Sequence, residues 1–322
     1  MGQIKTTYIN EKYTPLKHFE KPENSRYVSY SQLQTFNKCP RSWKLAHIDR
    51  LKQRDDTIHT VFGEAMHQTI QTWLKTIYLQ TIKASDELDL NAMLLENLKA
   101  CYGQCAQRRG SNFCTKEELL EFYTDGCASL QWLRKNRKRW FVPRDTELFG
   151  IEVPLLIHAD TVTHPSVLLN GYLDFVLVDK TDGTVTIFDI KTSKAGWSKY
   201  EKDDFNKTSQ LILYKIFFSR QYDVPIDKIN VEFIILKRKI EENSMYPQRY
   251  ASSFTPAHGN ITQNKVLKSF ENFLKSCFLP DGSFNQLYDY PAIAGKNDYN
   301  CRFCEFNSDE ANCPKSERRE TI

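Results

Sequence analysis

Near residue 147 the pattern of apolar residues changes from helical to alternating, and this change limits the folds open to the chain. Before it, apolar side chains recur at helical spacing within 61–83, at Met66, Ile70, Trp73, Leu74 and Ile77. Two further helical stretches are expected at 88–109 and 116–138. After it come three stretches rich in β-branched and aromatic residues, 147–158, 167–178 and 184–191. Thr181-Asp182-Gly183, between the last two, has the composition of a hairpin turn. A helix at 206–221, a strand at 230–237 and a helix at 263–278 follow. A long helical segment entering a mixed sheet predicts one α/β domain with a helical subregion, not two independent units. In this reading 1–27 is an irregular strap, 28–140 the helical subregion, 141–290 the α/β core and 291–322 a cysteine-bearing tail, all within one compact domain.

The hairpin carries the charged residues of interest. Strand side chains alternate faces, so Asp189 and Lys191 share a face with Val185 and Ile187, and Asp174 shares one with Val176 and Val178. A turn centred on Thr181-Asp182 sets Val178 opposite Val185, and counting back sets Asp174 opposite Asp189 and Tyr172 opposite Lys191. Opposed residues have Cβ atoms about 4.5–5.5 Å apart. Two carboxylates at that distance repel, and burial raises the cost. A hard divalent cation such as Mg²⁺ resolves the conflict. These three residues alone fit a salt-bridged hairpin end equally well.

Other residues give the three a context. Gly171-Tyr172-Leu173-Asp174 followed by Asp189-Ile190-Lys191-Thr192 resembles the core motif of the PD-(D/E)XK nucleases, in particular their RecB-like branch. The G-x-x-x-H of that branch is matched by Gly63-Glu64-Ala65-Met66-His67, and its Q-x-x-x-Y by Gln210-Leu211-Ile212-Leu213-Tyr214. All four stand in the family's order. The resemblance implies a restriction-endonuclease-like mixed sheet with flanking helices. It implies a Mg²⁺ or Mn²⁺ held by His67, Asp174, Asp189 and the Ile190 carbonyl, with Lys191 as the catalytic cation. It further implies that Gln210 and Tyr214 touch DNA or support Lys191. His67 shares a helical face with Ile70 and Leu74 and should point inward. Glu152 reads either as a support behind the site or as part of an exposed strand face. Trp197, in the polar stretch between Lys191 and Gln210, reads as a base-stacking side chain over the cleft or as ordinary surface loop.

Nine cysteines without a secretory leader argue for metal ligation over a disulfide framework. Cys301, Cys304 and Cys313 offer three thiolates in a short span, and Cys39 is the candidate fourth, roughly 260 residues upstream. Ser29 and Gln32 fit a capping box for a short helix that Pro40 should end beside Cys39. One cysteine before the core and three after it resembles the iron–sulfur nucleases, exonuclease V and the AddB nuclease domain among them. That resemblance implies a [4Fe–4S] cluster on these four residues, with Zn²⁺ the competing occupant. Cys101, Cys105, Cys114, Cys127 and Cys277 read as buried free thiols.

Net charge is only +4, so bulk charge does not announce a nucleic-acid partner. The densest basic run, 134–139, offers Arg134 and Arg137 as phosphate contacts, or else is a solvated helix end. No stretch reaches the eighteen or so apolar residues of a membrane span, and the expected location is cytoplasmic, nuclear or mitochondrial. No phosphate-binding G-x-x-x-x-G-K-[ST] segment is present, which excludes an encoded ATP motor. The resulting expectation is metal-assisted hydrolysis of DNA, single-stranded or with free ends, by an exonuclease with possible protein partners in recombination, repair or spacer acquisition. A catalytically silent subunit that binds DNA ends is the competing hypothesis.

Overall fold

A computed structural model describes residues 8–13, 25–52, 56–241, 245–246 and 248–321. Side-chain caps set where the N-terminal helices begin. Ser29 accepts the Gln32 backbone N–H and starts α1 (Tyr30–Lys38). Thr57 and Thr115 close full capping boxes at α3 (Ile58–Leu79) and α6 (Lys116–Lys135). Between them lie α4 (Ile82–Glu87) and α5 (Leu90–Arg109), the latter ended by Gly110 at φ 70°. Pro40 does more than stop α1. It is the first residue of a second helix, α2 (Pro40–His47), where its missing N–H costs nothing.

The sheet begins in the expected strap. β1 (Tyr8–Ile9) pairs antiparallel with β3 (Thr146–Asp160), and β2 (Arg26–Val28) pairs parallel with β4 (His164–Asp179). Residues 1–7 and 14–24 of that strap lie outside the described residues. β3, β4 and β5 (Val185–Ser193) form an antiparallel meander. A crossover through α7 (Lys199–Asp203) and α8 (Phe205–Tyr222) leads to β6 (Ile229–Lys237), parallel to β5. β7 (Ala251–Phe254) adds an antiparallel edge, too short and polar to show in the sequence pattern, and α9 (Asn260–Cys277) follows. The order β1-β3-β4-β5-β6-β7 makes a mixed sheet of seven strands among the described residues, with β2 beside β4.

Alternation along the strands divides the core. Val153, Val176 and Ile187 pack with α1, α8 and α9, whereas Ile151, Phe175 and Phe188 pack with α3, α5 and α6. Phe175 and Phe188 stack at 4.6 Å where β4 and β5 are last paired. With both faces covered, β5 tolerates almost no polar residue except near its C-terminal end. That end is where the charged residues gather.

Candidate functional site

The β4–β5 ladder has the register expected from the turn, with Val178 opposite Val185 and Val176 opposite Ile187. Pairing stops at Phe175 and Phe188, one residue short of the two aspartates. In place of a ladder bond, the Ile190 N–H donates to Asp174 Oδ2 at 2.6 Å. The two carboxylates are thus held by one opened strand end. Of Ile190 the structure shows the amide engaged here, and the carbonyl of a strand residue faces the same edge as its amide.

His67 reaches the same place from α3, its Nδ1 3.4 Å from Asp174 Oδ2. Lys191 Nζ lies 3.1 Å from Asp189 Oδ1, 2.8 Å from Oδ2 and 3.0 Å from Gln210 Oε1. Gln210 Nε2 in turn donates to Tyr214 Oη at 3.5 Å. A Cβ on Gly171 would stand 3.1 Å from that phenol oxygen, so glycine there lets α8 approach β4 closely. The structure therefore brings together His67, Asp174, Asp189, Lys191, Gln210 and Tyr214.

Electrostatics distinguish the two aspartates. Burial acts to raise Asp174, but His67, Lys191 and the Ile190 N–H outweigh it and hold the carboxyl below its usual value. Asp189 has weaker compensation: burial, reinforced by Asp174 against the pull of Lys191, pushes it up to about 6. Burial lowers His67 and Lys191, yet the adjacent carboxylates raise both above their ordinary values. Although Lys191 is near, Asp189 Oδ2 is buried and accepts no well-formed hydrogen bond. A buried carboxylate oxygen in that state suits a cation with oxygen preference. As they stand, the side chains are engaged in ion pairs. Among the described residues no group of three or more His, Cys, Asp or Glu forms a ready-made metal cage.

Glu152 is not part of an exposed strand face. It is 8% exposed, adopts φ 49° and sits beside Asp174, flanked by the pairs Ile151–Phe175 and Val153–Leu173. Gln71 Nε2 donates to Glu152 Oε1 at 2.6 Å and approaches the Asp174 carbonyl at 3.5 Å. Gln71 went unnoticed in the sequence, although it lies one helical turn beyond His67 on the same face of α3. Gln71→Leu removes that amide from a buried carboxylate and is expected to cost about 1–3 kcal/mol in denaturant unfolding. Adding Glu152→Gln should recover much of it; an unchanged midpoint in the single variant would dismiss the pairing.

A cleft of about 650 Å³ opens above Lys191, Gln210 and Tyr214. Its far wall is Ser29, Tyr30, Ser31 and Gln34 from the first turns of α1, and its rim includes Asn170, Tyr172 and Lys207. Tyr30 Oη bonds the Asn206 carbonyl at 2.5 Å and Ser209 Oγ at 2.9 Å, tying α1 to α8. Trp197 also lines the cleft, but its ring packs against Phe233 at 4.9 Å and Phe254 at 6.2 Å, so it is a wall rather than a free stacking surface. Arg134 and Arg137 are engaged within the protein, as the solvated-helix-end alternative allows. Arg137 grips both oxygens of Asp86 at 2.8 and 3.1 Å, and Arg134 bonds the Asp86 and Leu88 carbonyls, so the last turn of α6 and the turn after it are tied to the end of α4.

The four cysteines singled out by the sequence meet around one cavity. Cys39, Cys301, Cys304 and Cys313 line a void of about 240 Å³, together with Thr35 and Lys38 from the last turn of α1. Cys39 Sγ accepts the Ile293 N–H at 3.3 Å, and Cys304 Sγ lies 4.0 Å from Ser42 Oγ. Arg41 joins the two chain ends further, to the carbonyls of Tyr290 at 3.0 Å and Asn312 at 3.1 Å. Arg318 borders the void with its Nε buried and unbonded, although its other nitrogens hold Asn307 and the Cys313 carbonyl. Of the remaining cysteines, Cys101, Cys105 and Cys277 are buried as expected, whereas Cys114 and Cys127 are only half-buried.

Compared with known families, residues 27–308 match the profile of the PD-(D/E)XK nuclease superfamily. No curated protein matches the chain.

Proposed function

Because this chain belongs to the PD-(D/E)XK nuclease superfamily, we propose that it is a Mg²⁺- or Mn²⁺-dependent deoxyribonuclease, an exonuclease working on free or single-stranded DNA ends. The observation that carries this reading is the opened end of β5, where Asp174, Asp189, His67 and Lys191 converge under a polar cleft. Asp174 and Asp189 would hold the metal, with His67 and the Ile190 carbonyl completing its protein ligands. When bound, the metal polarises a phosphoryl oxygen and lowers the pKa of a bound water.

The chain's own residues supply the rest. Lys191, steered by Asp189 and Gln210, presents its ammonium to the charge that builds on phosphate. Tyr214 holds Gln210 in place, and Ser29, Gln34 and Asn170 offer hydrogen bonds along the cleft to a strand lying in it. A retired site has no physical need for a lysine held this way, which counts against a silent end-binding subunit.

The four thiols are assigned a [4Fe–4S] cluster. Thiolates suit soft metals, and a single zinc ion would draw four sulfurs to about 2.3 Å from one point. A void of about 240 Å³ bordered by an unbonded arginine N–H suits a larger anionic group better. Its part would be structural, joining Cys39, near the start of the matched region, to cysteines at and just beyond its end.

The test is incubation of the pure protein with end-labelled single-stranded and duplex DNA, with Mg²⁺, with Mn²⁺ and with chelator. Shortening from the ends is expected only with metal. Activity should fall as pH drops through about 6, where Asp189 gains a proton and His67 holds one that a metal must displace. Metal-independent cutting, or none under any of these conditions, removes the proposal.

A further inference from the structure

Lys215 follows the cleft tyrosine on α8 but lines a separate surface pocket, with Ile226, Asp227, Pro256, His258 and Gly259. The residue is 4% exposed, and among the described residues its ammonium has no hydrogen bond or ion pair. Burial lowers its pKa, and the charge of Asp227 opposes that fall without a direct contact. The stem is buried and the ammonium is delivered to the pocket, where no protein acceptor among the described residues engages it.

A second feature of the pocket is independent of the lysine. α9, eighteen residues long, begins here with Gly259 as its N-cap, and no side chain caps it. Its first backbone bond runs from the Gln263 N–H to the Gly259 carbonyl, so the N–H groups of residues 260–262 lack an intrahelical partner. They add the positive end of the helix dipole to the lysine charge. His258 uses Nδ1 on the Pro256 carbonyl at 3.0 Å, which leaves the other edge of its ring uncommitted to that bond.

We infer that this pocket is a phosphate site, in which the Lys215 ammonium and the N-terminal N–H groups of α9 hold one phosphate group. Two sources share that chemistry, inorganic phosphate and the backbone of a strand leaving the cleft. Two lysines stand between the sites: Lys207, paired with Glu201 at 2.7 Å, lies 5.8 Å from the Trp197 ring of the cleft wall, and Lys202 lies 5.6 Å from the ring of Phe254, the residue before Thr255 of the pocket. Asp227 on the rim works against an anion.

Equilibrium dialysis with labelled inorganic phosphate, and with a labelled single-stranded oligonucleotide in chelator, tests the site on the full chain, Lys215→Met and Asp227→Asn. Methionine keeps the apolar stem that packs in the core. Phosphate binding should weaken at least about tenfold in Lys215→Met and tighten in Asp227→Asn, as expected for losing a charge-assisted bond or a repulsion. If a strand phosphate occupies the pocket, the plot of log Kobs against log salt for the oligonucleotide loses roughly 0.7 in slope in Lys215→Met. Lost phosphate binding with an unchanged slope assigns the pocket to free phosphate. Equal phosphate binding by wild type and Lys215→Met overturns the site, as does wild type that binds no phosphate and shows the variant's slope. Should Lys215→Met not fold, the absence of any gain in Asp227→Asn overturns it. The phosphate arm needs no cleavage, so its outcome is independent of the nuclease reading.

Discussion

A Lys191→Ala protein is expected to cut DNA about 10²–10³-fold more slowly than wild type, the loss typical of removing one positioned electrostatic donor. Binding of the same DNA in chelator should change far less, because the cleft walls are untouched. The argument rests on how Lys191 is held. Asp189 and Gln210 both contact its ammonium, which fixes the charge at the cleft floor. Asp174→Ala should be more severe, taking cleavage below detection, since Asp174 accepts the Ile190 N–H and pairs with His67. Rates from single-turnover assays and affinities from filter binding separate the two effects. A wild-type rate in Lys191→Ala, or measurable cleavage by Asp174→Ala, would sink the assignment of this hairpin as the active centre.

The second large effect concerns stability. On the proposed cluster, wild-type protein purified without oxygen is expected to be brown, and Cys39→Ser to lose that colour and to melt at a lower temperature. A cross-link closing a loop of more than a hundred residues contributes about 5 kcal/mol on loop-entropy grounds. For a chain of this size that corresponds to a fall on the order of 10 °C. Cys114→Ser, at a half-buried cysteine away from the cavity, should keep both colour and melting temperature and serves as the control. Colourless wild-type protein carrying one zinc would refute the cluster while leaving the four-thiol site standing. A Cys39→Ser protein with unchanged colour and melting temperature would remove Cys39 from the site altogether.

The hairpin was legible because its signals are local. A two-residue period and a turn at Thr181-Asp182-Gly183 leave one register that buries Val176, Val178, Val185 and Ile187, and the structure has it. Helices α1, α3, α5 and α6 were legible for the same reason, as was the cap at Ser29, although the Gln32 side chain donates to the Tyr27 carbonyl instead of closing a capping box. What stayed hidden depends on partners distant in sequence. A dense basic run looks the same whether it meets phosphate or Asp86, and here Arg137 meets Asp86. Trp197 reads from the sequence as a base-stacking side chain or as ordinary surface loop, and only the fold brings its ring against Phe233 and Phe254. Gln71 acquires its role only where α3 crosses β3 beside Glu152. Pro40 read as a stop because the pattern beyond it is short, although proline is at home in the first turn of α2. That Cys39 would meet Cys301, Cys304 and Cys313 followed from the family resemblance, not from any spacing in the chain.

Helix α1 has a further consequence for the dynamics of the molecule. Its opening residues form one wall of the cleft and its closing ones border the thiol cavity, nine residues end to end. At 1.5 Å per residue that is roughly 13 Å of rigid rod, bonded to Asn206 and Ser209 at one end and followed at the other by Cys39, which accepts the Ile293 N–H. So short a helix has no stable half-formed state, and it opens as one cooperative unit or not at all. Amide protons along α1 should therefore exchange at a common rate, and that rate is a single clock for fraying at both sites.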